Sequence, residues 1–314
     1  MKDDTILTLR NLSVGVPATY EADAKPILKN INLSLREHEC VGIIGGSGAG
    51  KSVLMNAIIN SLREPLQIVG GQVLLEGENL FEINPEKMRS NVLGKRIASI
   101  CPNPHWRLDP INCVGDQIKN IYMSHNKCKS AEARARALEL LRLVGIPDPE
   151  TRYNAYPHEL SGGMAQRVLV TMALICEPKI LLADEPTGGL DVTIQIQVFN
   201  MIRKLIREER RSTIVASRDI GLIYHLCDRV YVLYEGRILE SGSTEDVIHH
   251  PAHPYTARLM QVAESTHKTR KSPEYREYLQ KTRENYERLI RERGDRAEDG
   301  YVDVGDNHKV EVNQ

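Results

Sequence analysis

Two stretches near the start of the chain, Ile6 to Val16 and Ile31 to Leu35, alternate apolar and polar residues with the period of half-buried strands. Cys40 to Ile44 is a short apolar run ending in glycines, which predicts a strand feeding a loop. Helical spacing follows from Ser52 to Leu62, and Gln72 to Leu75 with Glu76-Gly77-Glu78 reads as a strand and turn. The chain from Gly115 to Val144 reads as helical, most strongly from Ser130 to Leu143, with Ser130 as the expected cap. A second helix is predicted from Ser161 to Cys176, then a buried strand at Ile180 to Ala183 and a helix from Ile194 to Glu209. Strands follow at Thr213 to Ala216 and at Arg229 to Leu233, the latter with a turn at Glu235-Gly236-Arg237. Strands alternating with helices on both sides of a central helical block imply an α/β core with a helical insertion.

The pattern changes after Tyr255. Residues Lys268 to Arg296 are dense in Lys, Arg and Glu, with Tyr275, Tyr278, Leu279, Tyr286 and Leu289 interspersed. That predicts a solvated, charged surface helix with no binding role, followed by a polar, mobile tail to Gln314.

The length of 314 residues allows one large domain or two smaller ones, and an apolar fraction of 41% suffices for a sizeable core. A formal net charge of -1 argues against a general nucleic-acid binder. The longest apolar stretches, such as Val41 to Ile44 and Lys179 to Ala183, are far too short to span a bilayer, and Met1-Lys2-Asp3-Asp4 opens no secretory leader. The six cysteines, Cys40, Cys101, Cys113, Cys128, Cys176 and Cys227, contain no CxxC pair, which reads as reduced thiols in a cytosolic protein. Any membrane must then come from a partner.

Gly45-Gly46-Ser47-Gly48-Ala49-Gly50-Lys51-Ser52 fits the G-x-x-x-x-G-K-[ST] pattern of a phosphate-binding loop. Glycines let the chain curl until successive N–H groups point at phosphate oxygens, and the following helix turns its positive end to the same anion. Lys51 is placed to reach the β- and γ-phosphates, and the Ser52 hydroxyl to ligate Mg²⁺. The pattern follows an apolar strand and precedes a helical stretch, as that chemistry requires.

Ile180-Leu181-Leu182-Ala183-Asp184-Glu185 is an apolar strand ending in two carboxylates, at the edge where open α/β sheets bind ligands. Asp184 is the expected holder of Mg²⁺ through water. Glu185 is the expected general base, polarising the attacking water, a role worth roughly 10²–10⁴-fold in rate.

Leu160-Ser161-Gly162-Gly163-Met164, followed by Gln166-Arg167, resembles the signature motif of the ABC (ATP-binding cassette) ATPases. Phosphate loop, signature, the Asp184-Glu185 strand and the D-loop position Leu190-Asp191 stand in that family's order, over about Thr5 to Met260. The resemblance implies an ABC-type P-loop NTPase core over residues 1–250, with a helical subdomain at about 101–178 and a C-terminal extension over 251–314. It also implies a sandwich dimer, in which the signature residues cap the γ-phosphate of a nucleotide held by the other subunit. An aromatic residue upstream of the phosphate loop stacks on adenine in this family, and Tyr20 is the candidate, with a plain surface-loop tyrosine as the alternative.

Ile100-Cys101-Pro102-Asn103-Pro104 with Leu108-Asp109-Pro110, and His253-Pro254-Tyr255-Thr256, resemble the oligopeptide, dipeptide and nickel importer branch. The resemblance implies a second, related ATPase subunit, two membrane permease subunits, an extracytoplasmic binding protein and a place on the inner face of the cell membrane. That branch often carries a cysteine-rich iron–sulfur loop near its end. No cysteine follows Cys227, so no cluster is expected.

Two positions depart from the family. Pro102 stands at the Q-loop glutamine, and proline has neither an amide side chain nor a backbone N–H. Ser217-Arg218-Asp219 replaces the usual Thr-His-Asp, and Arg218 stays charged where a histidine could be neutral. Together they imply an asymmetric dimer whose site on this chain's own phosphate loop is slow or mainly holds nucleotide. Two functions remain open at this point: the energy-coupling subunit of a peptide or nickel-type importer, and a soluble ABC ATPase of the same branch, of the carbon–phosphorus lyase accessory kind, that remodels a cytosolic enzyme.

Overall fold

The computed structural model describes residues 4–18, 24–102, 104–208, 210–264, 273–293, 300–305 and 308–312. In chain order the strands are β1 (Thr5–Val16), β2 (Lys25–Arg36), β3 (Cys40–Ile44), β4 (Gln67–Leu75), β5 (Glu78–Asn79), β6 (Ile97–Ile100), β7 (Ile180–Asp184), β8 (Ser212–Ser217), β9 (Arg229–Tyr234), β10 (Arg237–Ser243), β11 (Tyr301–Gly305) and β12 (His308–Glu311). The helices are α1 (Lys51–Ile58), α2 (Pro85–Lys87), α3 (Val114–His125), α4 (Ser130–Leu143), α5 (Pro149–Tyr153), α6 (Gly162–Leu174), α7 (Val192–Arg207), α8 (Ile220–Leu226), α9 (Thr244–His249), α10 (Pro254–Glu264) and α11 (Pro273–Arg293). The chain divides into two compact units, Met1–Leu35 with Cys40–Glu78 and Ala216–Gln314, and Arg36–Glu39 with Asn79–Val215.

In the first unit β2, β1 and β4 lie side by side, and β1 runs antiparallel to β4. The inward residues of β1 are Leu7 and Leu9, then Leu12 and Val14, so the alternation slips by one residue. A register shift between Arg10 and Ser13, with Asn11 at φ 49°, absorbs the slip and keeps all four side chains in the core. β2 repeats the device at Asn30, φ 50°, between Leu28 and Ile31. The other strands of this unit run in the order β11-β12-β10-β9-β3, with β3 parallel to β9 and β10 antiparallel to both β9 and β12. β3 is buried at every position, as a continuous apolar run requires when both faces are covered.

The second unit has β6 and β7 parallel and one apolar core shared with α3, α4 and α6, from Ile100 and Val114 to Leu141, Val168 and Leu181. The helical stretch predicted from Gly115 to Val144 is two helices, broken at residues 126–129. Ser130 is not the cap of α4: Lys129 occupies the N-cap, no side chain caps it, and Ser130 already lies inside the helix. Gly115 lies under the ring of Tyr153, where a Cβ would stand 2.2 Å from the ring.

The tail, expected to be mobile, contains β11 and β12, which pair with each other and, through β12, with β10. All six cysteines are free thiols, and burial pushes that of Cys176 up to about 11. Among the described residues no helix is long and apolar enough to cross a membrane.

Candidate functional site

The phosphate loop leaves β3 and closes on α1 entirely within the first unit. Gly50 is the N-cap of α1 at φ 110° and Gly48 sits at φ 78°, conformations that an L side chain rarely adopts. Gly45 is excluded from substitution for a different reason, since a Cβ there would lie 2.2 Å from the Leu233 carbonyl oxygen. The turn after β9 braces the loop, with the Gly236 N–H donating to the Ala49 carbonyl at 3.0 Å. On the other flank the Gly46 N–H donates to the Tyr255 hydroxyl at 3.3 Å. Lys51, 7% exposed, donates to the carbonyls of Gly45 at 2.8 Å and Gly46 at 3.1 Å, which curls the loop around its ammonium group. Ser47, Gly48 and Ser52 are exposed, and open space surrounds the missing Cβ of Gly48. A curled backbone with an open glycine face, a cation inside and a helix N-terminus behind it fits a polyphosphate. Gly45→Ala should destabilise the protein by about 1–3 kcal/mol and weaken ATP binding together, read as a lower thermal midpoint and a higher Kd.

Arg218 is also in this unit, exposed on the turn between β8 and α8. Its flanks are fixed: the Asp219 N–H donates to Ser217 Oγ at 3.0 Å, and Asp219 caps α8 by accepting from the Leu222 N–H at 3.0 Å.

In the second unit β7 carries Asp184 as its last residue, 5% exposed. Glu185 follows in a tight turn at φ 44°, with the Gly188 N–H donating to its carbonyl at 2.9 Å. A left-handed glutamate costs about 1–2 kcal/mol, and its side chain is half-buried. Pro102 lies half-buried just beyond β6.

Ser161 caps α6 by accepting from the Met164 N–H at 3.3 Å, and the residue is exposed. The predicted helix start moves by one residue, to Gly162. Asp191 likewise caps α7, accepting from the Ile194 N–H at 3.1 Å. These two helix starts are packed together. A Cβ at Gly163 would stand 2.4 Å from Ile194 Cγ2, and one at Gly162 would stand 3.6 Å from Leu190 Cδ2. The signature and the D-loop position are therefore one surface, with Leu160 buried behind it and Met164 half-buried. Tyr20 lies outside the described residues.

Gly236 and Tyr255 both hold the phosphate loop, although in the sequence they read only as part of a turn and part of a family motif. The residues carried only a weak signal, a glycine in the turn (found at φ 76° in the structure) and a tyrosine following His-Pro.

A glycine loop that opens a helix behind a buried parallel strand defines a P-loop ATPase of α/β fold. The ABC transporter family model matches residues 28–188. A probable peptide ABC transporter ATP-binding protein of Sinorhizobium fredii is 42% identical over 82% of this chain and 77% of its own length. The oligopeptide transport ATP-binding protein OppD of Bacillus subtilis is 40% identical over 81% of this chain and 71% of its own. Among solved structures, an ATP-binding cassette dimer in a post-hydrolysis state with ADP and phosphate superimposes with a TM-score of 0.67 at 25% identity, covering 76% of this chain and 98% of that one. The chain belongs to the ABC transporter family and is an ATP-binding, ATP-hydrolysing subunit of it.

Proposed function

We propose that this ATPase energises import of peptides or a related small solute, a nickel chelate included, through partner membrane subunits. The observation that carries the reading is the likeness to peptide-transport ATP-binding proteins across four fifths of the chain. A local feature agrees with it: Trp106 is 92% exposed and Ile111 80% exposed, in the segment that follows Pro102. In this family the segment after the Q-loop flanks the groove that transmits motion to the membrane subunits, and apolar side chains displayed to water suit a protein contact. On this reading the subunit lies at the inner face of the membrane, beneath two permeases fed by an extracytoplasmic binding protein.

The loop from Gly45 to Ser52 would hold the triphosphate, Ser52 and Asp184 (the latter through water) would hold Mg²⁺, and Glu185 would act as the general base. Bound Mg²⁺ supplies neutralisation of phosphate charge. Ser161, Gly162 and Gly163 cap the nucleotide of a second, related ATPase subunit. Pro102 and Arg218 make the dimer asymmetric, because the site on this chain's own loop lacks both the amide and the neutral imidazole. The chain alone should therefore hydrolyse ATP slowly, and mixing with the related subunit should raise phosphate release well beyond the sum of the two. An isolated chain that turns over as fast as the assembled complex would end the asymmetric assignment. Copurification with permeases supports the importer; copurification with a soluble enzyme complex and no membrane protein would instead support a remodelling ATPase.

A further inference from the structure

Beyond the phosphate loop itself, the first unit contains a connected set of polar contacts that the proposed chemistry does not use. It begins at Tyr255, in the first turn of α10. The Tyr255 hydroxyl accepts from the Gly46 N–H at 3.3 Å, and its ring lies against that of Tyr234, with centroids 4.2 Å apart. Tyr234 ends β9, one residue beyond the Leu233 carbonyl that already limits Gly45. The entrance to the loop is thus held between the end of β9 and the start of α10.

What holds Tyr255 comes from its neighbour His253 and, behind that, from β10, α11 and β12. Its own N–H donates to Nδ1 of His253 at 3.0 Å. Burial keeps the His253 pKa below its ordinary value, which suits a ring nitrogen acting as acceptor. The edge of the His253 ring meets Tyr286 of α11 at 4.8 Å between centroids and 66° between planes, and the Tyr286 hydroxyl donates to the Glu311 carbonyl of β12 at 2.8 Å. Beneath this, fully buried Glu240 accepts from the N–H groups of Ala252 at 2.8 Å and His253 at 3.0 Å, while His308 Nε2 of β12 lies 2.6 Å from the same carboxylate. A buried carboxylate shared by two backbone amides and an imidazole fixes the 252–255 segment, because each partner left unpaired would bear a desolvation cost.

We propose that Tyr255 is a positioning residue for ATP, its hydroxyl setting the entrance of the phosphate loop, and that the C-terminal extension sets Tyr255. The extension is then a functional part of the nucleotide site rather than a solvated appendage. The inference rests on the reading that Gly45 to Ser52 holds the triphosphate.

The test uses the full-length chain with its partner subunit, and compares Tyr255→Phe, Tyr286→Leu and Lys51→Ala. Phenylalanine keeps the ring against Tyr234 and deletes only the hydroxyl. One neutral hydrogen bond corresponds to about two- to tenfold in affinity, so Tyr255→Phe should raise the ATP Kd and KM by that factor with kcat changed far less. Hydrogen exchange at the Gly46 amide should quicken. Tyr286→Leu should weaken ATP binding in the same direction, to a smaller extent. An unchanged Kd in Tyr255→Phe, or a loss of affinity with no quickening of exchange at the Gly46 amide, overturns the positioning role. An unchanged Kd in Tyr286→Leu overturns the role of the extension. If Lys51→Ala itself leaves ATP affinity intact, the loop assignment has failed; if only the tyrosine variants are silent, it stands without this inference.

Discussion

Lys51→Ala should weaken ATP binding strongly while leaving the protein folded. The ammonium group is nearly buried, and in the structure it is held by the carbonyls of Gly45 and Gly46 at the centre of the loop. A charge-assisted hydrogen bond to phosphate is worth roughly 1.5–3 kcal/mol, or about 10–150-fold in Kd. Alanine also removes the internal brace, so the loop pays twice, in lost attraction and in lost preorganisation. Both effects act on binding more than on folding, because Gly236 still holds Ala49 and Gly50 still starts α1. Equilibrium binding of ATP with Mg²⁺ measures the loss, and circular dichroism confirms the fold. A folded variant with wild-type affinity would remove the loop from the nucleotide site.

The features legible in the sequence are those whose physics is local. β3 coincides with its predicted limits because a fully buried parallel strand is a continuous apolar run stopped by glycine. The helices expected from Ser161 and from Ile194 are present, with Ser161 and Asp191 as their N-caps just outside the first turn. The C-terminal hairpin was invisible for the opposite reason. β12 buries His308, Val310 and Glu311, and two of those three are polar residues matched to Glu240 and Arg237 far back in the chain. Hydropathy alone scores such residues as solvent-facing, since their partners are known only from the fold. Ser130 illustrates a smaller error: serine suits a cap, but the backbone had already turned helical there, and Lys129 took the position without a side-chain bond. The slips at Asn11 and Asn30 likewise conceal a regular alternation behind one extra residue.

The second large effect separates the two composite sites, and it compares Ser161→Arg with Glu185→Gln. Ser161 is exposed at the start of α6, on the surface shared with Asp191 and Leu190, where the family places a partner's nucleotide. An arginine there would remove the hydroxyl that accepts from the Met164 N–H and set a bulky cation over the helix N-terminus. If the partner supplies an intact Q-loop glutamine and switch histidine, that is the fast site, and losing such preorganised stabilisation costs about 10²–10³ in rate. On the proposed assignment Glu185 would serve the nucleotide of this chain's own loop, where Pro102 and Arg218 replace the family's glutamine and histidine. Its conversion to glutamine removes the base while keeping size and hydrogen bonding, so total turnover should fall much less. Each variant is assembled with the wild-type partner, checked for complex formation and assayed for phosphate release. Collapse with Glu185→Gln beside near-normal activity with Ser161→Arg would reverse the assignment of the two sites. Equal collapse would mean that both sites must fire together, so that the proline and arginine alter timing between them rather than choosing one.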